Sequence, residues 1–193
     1  MRIISGIHKN RIIPTQKNSN YRPSLAKTRE AIFSMLSSTD LKDINQIEGA
    51  TILDLYAGSG AFSFEALSRG AKFSTLVDIN MVYLNNISLF AKKIGEESKI
   101  RIVNVDALKF SESTKFDFIF VDPPYNYALA LKTLKHLDKK EMLKNNSLII
   151  VEIAINENLL VDEKFSVIVN KTYNKSRVLI LKKKDNEKTK KKI

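Results

Sequence analysis

Short β-branched segments alternate with longer amphipathic segments from about residue 50 onward. Apolar runs bounded by turn residues predict strands, and apolar positions three or four residues apart predict helices. The predicted strands span 51–55, 73–77, 100–103, 116–121, 148–153, 165–169 and 177–181, and the predicted helices after the first strand span about 60–69, 80–94 and 128–143. This alternation is typical of βαβ units, so we expect an α/β fold with a mostly parallel sheet.

The spacing of the last two strands decides the topology. Only residues 170–176 separate them, whereas a parallel crossover takes about a dozen residues or more. The pair should therefore form an antiparallel hairpin. We expect a seven-stranded, Rossmann-like sheet with one reversed strand, unlike the six parallel strands of nicotinamide-binding domains.

The residues before this sheet predict a small basic extension. Residues 1–14 alternate as a hairpin around His8, and a helix follows Pro23, with Ser24 as its cap and Arg29 on its outer face. We divide the chain into an N-terminal hairpin extension at 1–23, a domain at 24–181 and a basic, disordered tail at 182–193.

The composition excludes several kinds of functional site. Hydrophobic residues make up 44% of the chain and charged residues 27%, which is ordinary globular usage. The absence of cysteine excludes disulfides and thiolate nucleophiles, and two distant histidines give no basis for a metal site. The longest apolar run, at 147–155, is far shorter than the ~20 residues of a membrane span, and no secretory signal begins the sequence. We expect a cytoplasmic monomer without membrane contact.

The net charge of +11 lies at the two ends of the chain. Residues 1–30 carry seven Lys and Arg against one Glu, and residues 182–193 carry seven Lys against two acids, so the segment between them is neutral. A neutral domain with basic extensions predicts a polyanionic partner, with nucleic acid as the first candidate. The tail alone is equally compatible with a solvated end. The candidate RNA contacts are Arg2, Lys9, Arg11, Arg22 and Arg29.

A glycine turn after the first strand predicts a cofactor site. Gly58 and Gly60 open the following helix, whose free N–H groups favour an anion. Ser63 stands where a dinucleotide fingerprint would have its third glycine, which argues against a pyrophosphate ligand. Asp78 lies at the end of the second strand, where it could accept the two hydroxyls of a ribose.

Two further carboxylates extend this site. Asp106 follows the third strand and could accept an adenine amino group, and Asp54 could face a ligand ammonium. S-adenosylmethionine combines adenine, ribose, an amino-acid end and a sulfonium without phosphates, so it is the expected cofactor. Two alternatives stay open: glycine turns follow many strands, and Asp78 and Asp106 could simply cap helices.

The sequence Val121-Asp122-Pro123-Pro124-Tyr125 after the fourth strand is the most specific motif. The prolines fix the backbone and remove two donors, leaving carbonyl acceptors. Asp122 and the Pro123 carbonyl could accept the hydrogens of an exocyclic amine, and Tyr125 could stack on the base. With an ordinary pKa of ~3.9, Asp122 would mainly orient the amine. The alternative is a simple chain reversal with Tyr125 in the core.

With these motifs the chain resembles the class I S-adenosylmethionine-dependent methyltransferases that act on amines, and most closely the RsmD type. The similar segments are Met1-Arg2-Ile3-Ile4-Ser5-Gly6, Arg22-Pro23, Thr28-Arg29-Glu30, Ala57-Gly58-Ser59-Gly60-Ala61, Glu65-Ala66-Leu67-Ser68-Arg69-Gly70-Ala71 and the Asp122 motif. The acid that often follows Arg-Pro-Thr in the family is absent here, and Val77-Asp78-Ile79-Asn80 has one acid where the family usually has two.

The resemblance implies methylation of N2 of one guanine in bacterial 16S rRNA, within the small subunit or an assembly intermediate. It places Ala57, Gly58 and Gly60 near the methionine part of the cofactor, Asp78 at the ribose, Asp106 at the adenine and residues 122–125 at the guanine. It implies that Arg22, Arg29 and the hairpin contact the RNA.

Three alternatives belong to other classes. A DNA adenine or cytosine amino-methyltransferase would use the same motif but usually carries a recognition insert, for which no loop here has room. A protein glutamine methyltransferase favours Asn before the two prolines. An RNA-binding assembly factor without activity should show damaged cofactor positions, and none are visible in the sequence.

Overall fold

The computed structural model describes residues 1–15, 23–38, 41, 44, 46–125 and 128–184. The expected RNA contact Arg22 and the tail beyond residue 184 lie outside this part of the chain. None of the helices in these ranges is long and apolar enough to cross a membrane.

The described elements alternate as the sequence pattern predicts, beginning with a helix. In chain order they are α1 (Pro23–Leu36), β1 (Thr51–Leu55), α2 (Ala61–Ser68), β2 (Phe73–Asp78), α3 (Met81–Ile94), β3 (Ile100–Asn104), β4 (Phe116–Val121), α4 (Leu129–Lys139), β5 (Leu143–Ala154), β6 (Phe165–Tyr173) and β7 (Ser176–Lys183). Asn80 accepts the N–H of Val82 as the cap of α3, and Gly95 ends this helix in the left-handed conformation.

The strands form one sheet in the order β3-β2-β1-β4-β5-β7-β6. The pairs among the first five strands are parallel, and β7 pairs antiparallel with both β5 and β6. Residues 174 and 175 alone join β6 to β7, so the short connection forces the reversal. The predicted Rossmann-like sheet with an antiparallel C-terminal hairpin is confirmed.

Both faces of the sheet are buried, as the continuous apolar strands require. Ile52, Phe118 and Ile150 point to one face, where they pack in a core with residues of α1, α2 and α3. Their neighbours Leu53 and Ile119 point to the other face, toward α4. This alternation puts every second residue of β1, β4 and β5 on the same side.

The N-terminal hairpin belongs to the first of these cores. Arg2 and Ile12 form an antiparallel bridge, and the N–H of Asn10 donates to the carbonyl of Ile3 at 2.9 Å. Ile3 and Ile13 are fully buried in the core of the domain. The hairpin is confirmed, and it packs onto the domain as part of it; the division at residue 23 stays a prediction.

Several boundaries differ from the sequence prediction for local reasons. The helix expected to reach residue 143 ends at Lys139, because β5 already begins at Leu143 with a register shift opposite β4. The hydroxyl of Ser147 bridges this irregularity by accepting the N–H of Lys144 and donating to the Phe116 carbonyl. Residues 182 and 183, which we expected in the tail, belong to β7, and the ammonium of Lys183 lies 2.6 Å from Asp138.

Candidate active site

The carboxyl ends of four parallel strands meet at one edge of the sheet. Leu55 pairs with Val77 on one side and Val121 on the other, so the residues after these positions lie at one level. A cavity of about 1170 Å³ lies along this edge. Pockets for one small ligand usually measure ~300–1,000 Å³, so the cavity has room for a cofactor and part of a second molecule.

One end of the cavity contains the predicted cofactor residues Gly58, Asp78 and Asp106. Apolar and aromatic side chains lie beside them. The other residues at this end are Val77, Ile79, Asn80, Tyr83, Val105, Ala107 and Leu108. The arrangement combines an apolar slot with two carboxylates, which suits a nucleoside whose hydroxyls and amino group need acceptors.

The two glycines of the turn have different roles. Gly58 lines the cavity with φ +53° and donates its N–H to Asp78 Oδ2 at 2.8 Å. Gly60 does not line the cavity in the described structure; a Cβ there would lie 2.9 Å from Leu76 and 3.1 Å from Phe64. Gly60 therefore allows α2 to pack closely against the sheet. Ala57 is also outside the lining and donates its N–H to the Val77 carbonyl.

Asp78 and Asp106 stabilise their own turns and also line the cavity. Asp78 Oδ1 accepts the N–H of Asn80 at 2.8 Å, and Asp106 Oδ1 accepts the N–H of Leu108 at 2.9 Å. A carboxylate has about four acceptor positions, so capacity is left for a ligand. The capping alternative and the ligand prediction are therefore compatible for both residues.

Asp54 does not occupy the position that we expected. Its side chain is 1% exposed, and Oδ2 accepts both the hydroxyl (2.7 Å) and the N–H (3.3 Å) of Ser63. Burial raises the pKa of this carboxyl to about 7. The expectation that Asp54 faces a ligand ammonium is corrected: the alternation of β1 turns the side chain toward α2, away from the described cavity lining.

The predicted catalytic motif forms the second end of the cavity. Asp122, Pro123, Pro124 and Tyr125 all line it. Tyr125 is 38% exposed, which contradicts the alternative that it is a core residue. Burial, followed by the nearby carboxyls of Glu152 and Asp54, raises the pKa of Asp122 well above its usual value. Asp122 is thus a stronger proton acceptor than the sequence alone indicates.

Sequence reasoning missed the opposite wall of this second end. Thr28 of α1 reaches the cavity, and so does the turn between β6 and β7 with Tyr173, Asn174, Lys175 and Ser176. No local sequence pattern identifies these residues, because only the folded chain brings them close to the motif. Lys175 places a positive charge at the cavity.

Tyr56 was also missed, although its position between a strand and a glycine turn is a usable signal. It adopts φ +62°, which is uncommon for a bulky residue, and its hydroxyl lies 2.8 Å from the Thr133 hydroxyl. Burial raises the pKa of Tyr56. Tyr56 belongs to the cavity lining together with Gly58 and Asp122.

The predicted RNA contacts separate into two groups. Arg2, Lys9 and Arg11 are exposed on the hairpin. Arg29 is 6% exposed; it donates to the Arg2 carbonyl and lies 3.8 Å from Glu65. The prediction that Arg29 contacts RNA is wrong for this structure, because the fully buried carboxylate of Glu65 needs cationic partners.

Glu65 also fixes the hairpin to α2. Its carboxylate accepts the backbone N–H groups of Ile4 at 2.7 Å and Ser5 at 3.1 Å, and Arg69 lies 2.8 Å from it. The hairpin that carries the exposed basic side chains is therefore held by a buried charge network.

Comparison with known proteins identifies the family of this fold and site. The family described as "Conserved hypothetical protein 95" matches residues 1–182. The chain belongs to this family, the RsmD-type methyltransferases. It is 34% identical to an uncharacterized methylase of Rickettsia prowazekii, with 94% of this chain and 97% of that protein aligned. It is 32% identical to ribosomal RNA small subunit methyltransferase D of Buchnera aphidicola, with 89% and 87% aligned.

A solved structure supports the same assignment. The Escherichia coli protein yhhF superimposes with a TM-score of 0.83 at 28% identity, covering 95% of this chain and 97% of the other. The RsmD-type chain thus has the class I methyltransferase fold, and S-adenosylmethionine is the cofactor of such an enzyme.

Proposed function

We propose that this enzyme methylates the exocyclic N2 amine of one guanine in 16S rRNA of the small ribosomal subunit. The observation that carries the proposal is the single cavity that joins the Gly58, Asp78 and Asp106 end to the Asp122–Tyr125 motif. A methyl donor at the first end and a base at the second would share one cavity. The choice of guanine rests on the family resemblance.

The residues at the first end fit S-adenosylmethionine. Two carboxylates, Asp78 and Asp106, lie among the described lining residues there, and Lys and Arg are absent from that part of the lining. Such a site disfavours a pyrophosphate and favours a neutral adenosine joined to a cationic sulfonium. When bound, the cofactor would supply the methyl group of that sulfonium, and the sulfonium would become a neutral thioether. The methylated amine would then carry one surplus proton.

The motif residues would position and deprotonate the amine. Asp122 and the Pro123 carbonyl accept its two hydrogens and aim the nitrogen lone pair toward the first end of the cavity. The raised pKa of Asp122 suits it to take the surplus proton and pass it to water. Tyr125 stacks on the base, at ~1–3 kcal/mol per stacked base.

The basic hairpin would bind the RNA that surrounds the target base. Its exposed side chains Arg2, Lys9 and Arg11 connect to the site through α1, where Arg29 holds the hairpin and the preceding residue, Thr28, lines the cavity. We propose that the partner is the small subunit or an assembly intermediate, and that the enzyme acts as a monomer in the cytoplasm.

The test is to incubate the protein with methyl-labelled S-adenosylmethionine and naked 16S rRNA, purified small subunits or duplex DNA. The nucleic acid is then digested and the labelled nucleoside identified by mass spectrometry. We expect N2-methylguanosine from small-subunit RNA. Label on adenine or cytosine in DNA, or on a different atom of RNA, would overturn the proposal.

A further inference from the structure

A second carboxyl lies beside the reactive motif and has no part in the function proposed so far. Glu152 is on β5, the strand next to β4, and Val151 pairs with Val121. Glu152 and Asp122 therefore each follow a paired position on adjacent parallel strands, where side chains lie ~5 Å apart. Ile150 and Phe120, two residues earlier, belong to the same core.

The surroundings of Glu152 do not explain a carboxyl. The residue is 5% exposed, its Oε1 has no hydrogen-bond partner, and the hydroxyl of Ser176 on β7, which donates to the Tyr173 carbonyl at 3.3 Å, lies beside the carboxyl. Within the described ranges no Lys, Arg or His forms an ion pair with it. A buried carboxyl without a cationic partner is costly, so glutamine or an apolar residue would serve the core better.

In the described part of the chain, the groups beside this carboxyl are acidic or neutral. Asp122 on β4 and Asp54 on β1 lie on the same side of the sheet as Glu152, with Asp54 level with Phe120, two residues before Asp122. Asp54 is already satisfied by Ser63. Burial raises the pKa of Glu152, and the Glu152 charge in turn raises the pKa of Asp122. Ser176, which lies beside Glu152, lines the cavity.

We propose that Glu152 is a positioning residue of the reactive site, whose buried carboxylate strengthens Asp122 as the acceptor of the proton that the methylated amine releases. The proposal rests on the proposed methyl transfer to an amine. In that step the amine nitrogen gains a methyl group and the positive charge, and its N–H bond then breaks with the electron pair left on nitrogen. The proton goes to Asp122 and then to water, so charge and atoms balance.

The first experiment needs no substrate. Carbon-13 labels in the side-chain carboxyls of Asp and Glu report the titration of Asp122 by NMR in the wild-type protein and in Glu152→Gln. We expect Asp122 to titrate well above the ordinary ~3.9 in the wild type, and at least one pH unit lower in Glu152→Gln. Titration at the ordinary value in the wild type, or an unchanged midpoint in the variant, would overturn the proposal.

The second experiment measures kcat/KM against pH on small subunits. Asp122 must be ionised to accept the proton, so activity rises with pH through its titration. Glu152→Gln should move this acidic limb at least one unit lower and reduce the plateau about tenfold, and Glu152→Asp should keep the limb near its wild-type position. A purely structural role would lower the melting temperature and leave the limb in place, which would count against the proposal.

Glu97→Gln is the matched control, because Glu97 is exposed in the turn before β3 and outside the cavity lining. The two hypotheses fail separately: label on adenine would refute the guanine assignment, while the NMR midpoints would still decide the role of Glu152. If Glu152→Gln does not fold, the carbon-13 labels still show whether Asp122 and Glu152 titrate as an interacting pair in the wild type, and two independent titrations would overturn the proposal.

Discussion

Asp78 accepts the backbone N–H of Gly58 at 2.8 Å and so ties the end of β2 to the glycine turn after β1. Its other oxygen accepts the N–H of Asn80, the residue that caps α3. One carboxylate thus holds both chain segments that border the cofactor end of the cavity. Removing this charge should therefore weaken cofactor binding for two reasons. The cofactor loses its contact with the carboxylate, and the glycine turn loses the hydrogen bond that holds it in place.

Asp78→Asn should weaken binding of S-adenosylmethionine about 10- to 100-fold, since charge-assisted hydrogen bonds contribute ~1.5–3 kcal/mol each. Isothermal titration calorimetry measures the change. Asp162→Asn is the control, because Asp162 likewise accepts the N–H two residues on, from Lys164, and lies outside the cavity lining. Equal losses in both variants would contradict a cofactor role for Asp78.

Asp122→Asn should reduce kcat by about 10²–10⁴-fold, the usual contribution of a positioned proton acceptor. An amide can still accept one amine hydrogen, but it cannot take the surplus proton. Single-turnover methylation of small subunits gives the rate, and calorimetry should show cofactor affinity within about twofold of the wild type. An undiminished rate would show that Asp122 takes no part in the reaction.

The sequence predicts those parts of the fold that depend on neighbours along the chain. Asn80 and Gly95 are the first and last caps of α3, as expected, because capping depends only on residues within one turn of the helix end. The strands likewise follow from local patterning. The glycine turn and the Asp122 motif could be placed at the sheet edge, because strand ends of parallel sheets meet there.

The errors come from partners that are distant in the sequence. From the sequence we expected Arg29 to be an exposed charge, but the fold places it beside Glu65. We expected Asp54 to contact a ligand, but in the fold it accepts the Ser63 hydroxyl. Glu152 reaches the motif because β5 lies beside β4, and Lys175 reaches it because β7 lies beside β5. Local sequence patterns do not predict such long-range contacts.

Arg29→Ala and Arg11→Ala should have opposite consequences. Arg29 is buried against Glu65 and the Arg2 carbonyl, so its removal should lower the free energy of unfolding by about 3 kcal/mol, as for a broken buried pair. Arg11 is exposed, so its removal should leave stability within ~0.5 kcal/mol.

Arg11→Ala should instead weaken RNA binding and reduce the slope of log K against log salt by up to about one, as one phosphate contact would. Urea unfolding and filter binding at several salt concentrations measure the two effects. If Arg11→Ala changed neither the affinity nor the slope, the hairpin would not be an RNA contact.

The buried Asp54 should make the stability of the protein depend on pH. Its folded pKa of about 7 is above the ordinary value of 3.8, so between these values the folded state binds more protons than the unfolded state. Stability must then fall as pH rises from about 4 to 7, with a slope for this group of at most about 1.4 kcal/mol per pH unit, and level off above 7. Asp54→Asn keeps an acceptor for Ser63 but cannot ionise. Urea unfolding at closely spaced pH values should give a shallower decline for the variant than for the wild type; parallel curves would mean that Asp54 does not hold a proton in the folded protein.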